Sequence, residues 1–352
     1  MEDSALQFLK DLLHTPSPSG YEQAIQRVVR QYVTPFADEV RIDIHGNLLA
    51  GKNLAAPVRL MFAGHCDQIG MIVSQIDDSG FLFAQTIGGW DPQQLIGQRM
   101  TVWTQSGPVP AVISRKPIHL LNDEERKQVA KIEDLWLDMG AKSKAEAAEV
   151  VRVGDAVTLA PAFCELRNRR ATAPGMDNRC GLWVVIEAFR RASLQRLDCA
   201  LHAVSTVQEE IGLRGATTSA FGIDPYCAIA VDVTHATDCP SSDKRQQGDI
   251  RLGSGPVIFR GPNMNPRVVA RLIEICTAES IEHQLAASGR ATPNDANPLQ
   301  VNRAGVATGL VSIPNRYMHS AVETISLDDL DRAADLLCHF ARRLSADTDF
   351  TP

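Results

Sequence analysis

The chain has 352 residues, 44% apolar and 22% charged, with a formal net charge of −7, which predicts about two domains of ordinary globular composition. The acidic balance argues against a nucleic-acid partner, and no apolar run approaches the roughly 20 residues needed to span a bilayer. The first residues lack the apolar stretch of a signal peptide, and the eight cysteines form no CxxC pair, so a cytoplasmic location with reduced thiols is expected.

Residues 4–33 predict two amphipathic helices, broken at Thr15-Pro16-Ser17-Pro18-Ser19-Gly20; Leu6, Leu9, Leu12 and Leu13 recur at helical spacing in the first. A β-rich apolar run at 58–63 reads as a strand. From 70 to 160 the character changes to short β-like pieces (71–76, 81–85, 100–104, 109–114 and 156–159) between Gly and Pro turns, with one short helix near 142–150. This predicts a small β-rich domain at 70–160, inserted into a larger domain made of 1–69 plus 161–352. A helix follows at 181–192, then apolar runs at 200–207, 226–233 and 308–313. Such runs suit strands buried on both faces, so the larger domain is expected to be α/β with three layers, helices covering both sides of the sheet. The polar loop at 237–251 has the composition of a binding loop. The last helix is expected to start at Ser326, with Asp329 completing a capping box.

Each apolar run leads into a potential metal ligand or base. His65 and Asp67 follow the first, Glu209 and Glu210 the second, Asp232 ends the third, and His319 follows the fourth. In open α/β sheets, sites form beyond the carboxyl ends of strands. Asp177 stands just before a helix, where an acid is favoured, and a short carboxylate can bridge two cations. Asp67 lies two residues from His65, on the same side of an extended chain, where it can orient the imidazole. Glu209 and Glu210 are adjacent, so their side chains diverge; one can hold a metal while the other acts as base. Two imidazoles with three carboxylates suit zinc, cobalt or manganese better than calcium. The other histidines lack such a setting, and Asp43, Asp224 and Asp295 read equally well as turn or cap residues.

The runs GHCDQIG, PGMDNRCG, VQEEIGLRGA, VDVTHATDCP and IPNRYMHSAVETI resemble the metal-binding blocks of the glutamyl and deblocking aminopeptidases, metallopeptidase family 42. GGWDPQQLIGQRM, RKPIHLL, WLDMGAKSKAEAAEVVRVGD and LGSGPVI extend the likeness over nearly the whole chain. The resemblance implies a dinuclear aminopeptidase acting on short peptides, with an inserted PDZ-like domain for oligomerisation. It pairs His65 with Asp232 on one metal and Glu210 with His319 on the other, with Asp177 bridging, Glu209 as base and Asp67 as orienting acid. It further implies a homo-oligomer built from dimers, a tetrahedral dodecamer. Gln68, Pro293-Asn294 and Asn315 depart from the usual pattern without removing a ligand. Deacylation of small amides and a non-catalytic metal-binding shell are the competing readings.

Overall fold

The structure is a computed structural model that describes residues 1–240 and 242–352. The four apolar runs form the centre of an eight-stranded sheet. Strands Ala200–Thr206, Arg59–His65, Cys227–His235 and Ala307–Asn315 lie side by side in that order, all parallel. Their residues are almost all buried, as expected of strands covered on both faces. Four short strands that the sequence did not announce complete the edges. Leu48–Lys52 and Glu39–Ile42 add antiparallel on one side, and Val257–Arg260 and Gln284–Ala287 on the other.

Side chains alternate across a sheet, so glycines on the strands show which helices cover which face. A Cβ on Gly64 would lie 3.1 Å from the Leu182 backbone, and one on Gly309 would lie 2.8 Å from Val268. By register these two positions share a face, which helices Met176–Ser193 and Pro266–Ala278 therefore cover. Helices Asp3–His14 and Leu327–Arg342 pack onto Met176–Ser193. Thr206 points to the opposite face and meets Asp295, at the start of helix Ala296–Gln300, with Arg214–Ile223 beside it. The result is a three-layer α/β/α arrangement.

Strands Gly70–Ile76, Leu82–Ile87, Trp136–Asp138, Gly107–Ser114, Arg99–Thr104 and Ala156–Leu159 close into a barrel with its own core of Met71, Val73, Leu82, Met100, Val102, Ile113 and Leu137. The short helix expected there is Lys144–Ala148. One local expectation fails. Ser326 makes no side-chain cap, and the Asp329 carboxylate, rather than completing a capping box, accepts the backbone N–H groups of Gly253 and Gly255, both at 2.7 Å. The loop at 237–251 carries the short helix Lys244–Gln247, and its Ser241 lies outside the described residues. Among the described residues no helix is long and apolar enough to cross a membrane.

Candidate active site

Strand ends and the turns after them deliver the acids and imidazoles to one place. His65 is the last residue of its strand, and Asp232 lies near the end of the neighbouring one. After Thr206 the chain turns through Gln208, at φ 57°, and Leu213, at φ 58°, before helix Arg214–Ile223 begins. The Glu209 carbonyl accepts the N–H groups of Gly212 and Leu213, each at 2.9 Å, which tightens this turn and holds the acidic pair at the sheet end. His319 comes from a turn closed by backbone bonds in both directions between Arg316 and Thr324. The Arg316 side chain anchors the same turn through Asp238, at 2.7 and 2.8 Å.

Asp177 sits between the two imidazoles. Its Oδ1 is 3.3 Å from His65 Nε2 and its Oδ2 is 3.2 Å from His319 Nε2. Asp232 Oδ1 and Glu209 Oε2 are each 3.8 Å from His65 Nε2, while Glu210 Oε2 is 3.6 Å from His319 Nε2. The adjacent glutamates therefore face different imidazoles. Ligand atoms of His65, Glu209 and Asp232 lie within 4.8 Å of one another, as do those of His65, Asp177 and Glu210. Asp67 touches more than the ring of His65. Its main-chain carbonyl, at 3.1 Å, is a closer acceptor for Nδ1 than its carboxylate, at 3.4 Å. The carboxylate instead receives the backbone N–H groups of Glu209 at 3.0 Å and Glu210 at 3.1 Å, and the Ser19 hydroxyl at 2.7 Å. All seven residues singled out from the sequence thus converge.

Several supporting residues were not singled out. Glu323 is buried; its carboxylate accepts the N–H of Asp177 at 2.8 Å, that of Gly175 at 3.3 Å and the Asn315 side-chain amide at 3.0 Å. Asn315, a departure from the usual pattern, therefore helps fix Asp177 through Glu323. Asn178 ties the same segment to the Val231 carbonyl at 2.7 Å. Asp295 is not a simple cap: it is buried, with the Thr206 hydroxyl donating to it at 2.6 Å. Gln68, another departure, supplies a neutral acceptor oxygen to the buried Arg179 guanidinium, which also reaches Ser17 Oγ at 2.9 Å and the Thr15 carbonyl at 3.0 Å.

Burial shapes the electrostatics. It pushes the Glu209 carboxyl up to about 10, with Asp232, Asp295 and Asp177 adding and His65 opposing. It lifts Asp232 to about 8 and drives Glu210 well above the carboxylate range. Asp177 behaves otherwise: hydrogen bonds from His319 and His65 outweigh burial and hold its carboxyl below its ordinary value. Burial alone would depress the His65 imidazolium, but Glu209, Asp177 and Asp67 together raise it. These buried acids are short of positive charge, which bound cations relieve. Glu210 Oε1 is also buried without a hydrogen-bond partner among the described residues. An imidazole and carboxylate set with an orphaned oxygen fits divalent metal ions.

The sequence matches the M42 glutamyl aminopeptidase family over residues 46–336. It is 39% identical to a lysyl aminopeptidase of Pyrococcus furiosus, across 98% of this chain and 99% of that protein. The fold is similar to a TET aminopeptidase from a marine sediment archaeon of the Thaumarchaeota, with a TM-score of 0.93 and 34% identity over 98% of each chain. It is also similar to the TET1 peptidase of Pyrococcus horikoshii, which can assemble into a tetrahedron or a large octahedral shell. There the TM-score is 0.86 with 32% identity, over 97% of this chain and 100% of that one. With a family match across most of its length, the chain belongs to the M42 glutamyl aminopeptidase family and is a hydrolase of peptide bonds.

Proposed function

We propose that this enzyme removes the N-terminal residue from short peptides at a dinuclear centre held by His65, Asp177, Glu210, Asp232 and His319. The observation that carries the reading is the placement of Asp177, with one carboxylate oxygen toward each imidazole. That is where a bridging ligand belongs, with His65 and Asp232 on one side and Glu210 and His319 on the other. Two divalent cations, zinc or cobalt by this donor set with manganese a further candidate, would polarise the scissile carbonyl and acidify the attacking water. Glu209 is the general base. Its carboxylate takes the proton from water as oxygen bonds to the carbonyl carbon, then returns it to the leaving amine nitrogen as the C–N bond breaks. The high proton affinity that burial gives Glu209 suits the uptake, and the cations would lower it toward the working range. Asp67 fixes the backbone of both glutamates while they carry different tasks.

The test compares a free-amine peptide with the same peptide acylated at its N-terminus. Cleavage of the free-amine peptide alone is expected. Equal cleavage of both, or preference for the acylated one, would favour a deacylase.

We further propose that the inserted segment, residues 70–160, joins copies of the chain into a homo-oligomer of dimers, a tetrahedral dodecamer. Between the barrel strands Gly107–Ser114 and Trp136–Asp138 it exposes Ile118, Leu120 and Val129, each more than 60% accessible. Apolar residues so exposed are common at surfaces that associate. Sedimentation velocity is expected to show a particle much larger than a dimer, broken down by Ile118→Asp with Leu120→Asp. A monomer in the parent protein would refute this.

A further inference from the structure

Helix Gln23–Val33 begins just after Glu22, a position whose side chain usually closes the helix end. Here it makes no such cap. The Glu22 side chain is buried and crosses to the catalytic turn. Its Oε1 accepts the N–H of Gln208 at 3.1 Å and that of Gly20 at 2.8 Å. Gln208 is a non-glycine residue with φ 57°, a left-handed conformation that persists only when its surroundings hold it. With the two bonds from Asp67, three successive backbone N–H groups, those of Gln208, Glu209 and Glu210, each end on a buried carboxylate. Ser19, in the same break between the first two helices, donates to Asp67 at 2.7 Å. The segment before the second helix is therefore a brace for the catalytic turn.

We propose that Glu22 is a positioning residue of the reaction: by holding the Gln208 N–H it fixes the backbone from which the Glu209 carboxylate is aimed. The inference rests on Glu209 being the base. Loss of the brace frees the turn to relax from its left-handed conformation, and small displacements of a reacting group cost as much as about 100-fold in rate. The ligands stay in place, because Asp67 still holds the Glu210 N–H and Asp177 is held elsewhere.

The experiment compares Glu22→Ala, Glu22→Gln and Glu22→Asp in the full-length enzyme, with Glu209→Gln alongside. Glu22→Ala is expected to lower kcat by about 100-fold, with KM and metal content little changed and faster amide exchange at residues 208–210. Glu22→Gln keeps an acceptor oxygen at the same reach and should restore most of kcat. Glu22→Asp keeps the charge but is one methylene too short, and should not; it also serves if the alanine variant does not fold. The proposal is overturned by parental kcat in Glu22→Ala or Glu22→Asp, by a glutamine variant as impaired as the alanine one, or by a loss that tracks lost metal. If Glu209→Gln keeps its turnover, the reading of the base has failed instead, whatever Glu22 shows.

Discussion

Glu209→Gln is expected to lose about 10²–10⁴-fold in kcat, the range over which a positioned general base contributes, while keeping its metal content. The amide matches the carboxylate in size, so the pocket around it need not move. The backbone of residue 209 is held by Asp67 through its N–H, at 3.0 Å, and by the Gly212 and Leu213 N–H groups on its carbonyl. None of these bonds uses the side chain that changes. On the proposed mechanism, what disappears is the site that accepts the proton from water and returns it to the amine. Because Glu209 Oε2 lies only 3.8 Å from His65 Nε2, it is near enough to ligand atoms for the alternative role to be tested in the same sample. Metal analysis beside kcat on an aminoacyl-anilide separates the two. Loss of turnover with metal retained identifies a base; loss of both identifies a ligand; parental turnover rules out either role.

Asp177→Asn should damage both halves of the centre at once. One oxygen of Asp177 faces His65 and the other faces His319, so the asparagine amide would present an NH2 group to one half in place of an acceptor. The main chain there is fixed independently, since Glu323 accepts the Asp177 N–H at 2.8 Å, and the variant is expected to fold. Loss of an outer partner typically costs 10–100-fold in metal affinity, and loss of a shared ligand should cost more. Calorimetric titration of the metal-free variant is therefore expected to show weakened binding of both ions and no measurable turnover. Loss of one ion alone, with the other bound at parental affinity, would show that Asp177 does not bridge.

The strands that matter most were readable because burial on both faces leaves an unbroken apolar run. The site residues other than Asp177 were readable because they stand at or just beyond the end of such a run, and Asp177 because it stands at the start of a helix. Register then does what spacing cannot show: His65 pairs with Thr206, and Ala230 with Ala63, so the carboxyl ends are level and the ligands meet. The edge strands were missed because Glu39–Ile42 and Gln284–Ala287 are short and largely exposed or half-buried, without a core-facing pattern. Glu22 and Glu323 were missed for a different reason. Their partners, Gln208 and Asp177, lie 186 and 146 residues away along the chain, and nothing local marks a glutamate as bound for a distant backbone N–H. Asp329 shows the same limit in reverse, where a good local capping signal yields to two glycine N–H groups brought in by the fold.

On the proposed mechanism, turnover depends on two divalent ions held by this set of side chains. The measurement strips the enzyme with chelator, adds back cobalt or zinc stepwise, and reads bound ions per chain together with hydrolysis of a free-amine peptide. Stripping is expected to abolish hydrolysis, and full turnover to return only as the bound content reaches two ions per chain. Full turnover with one ion bound, or with none, would contradict that mechanism.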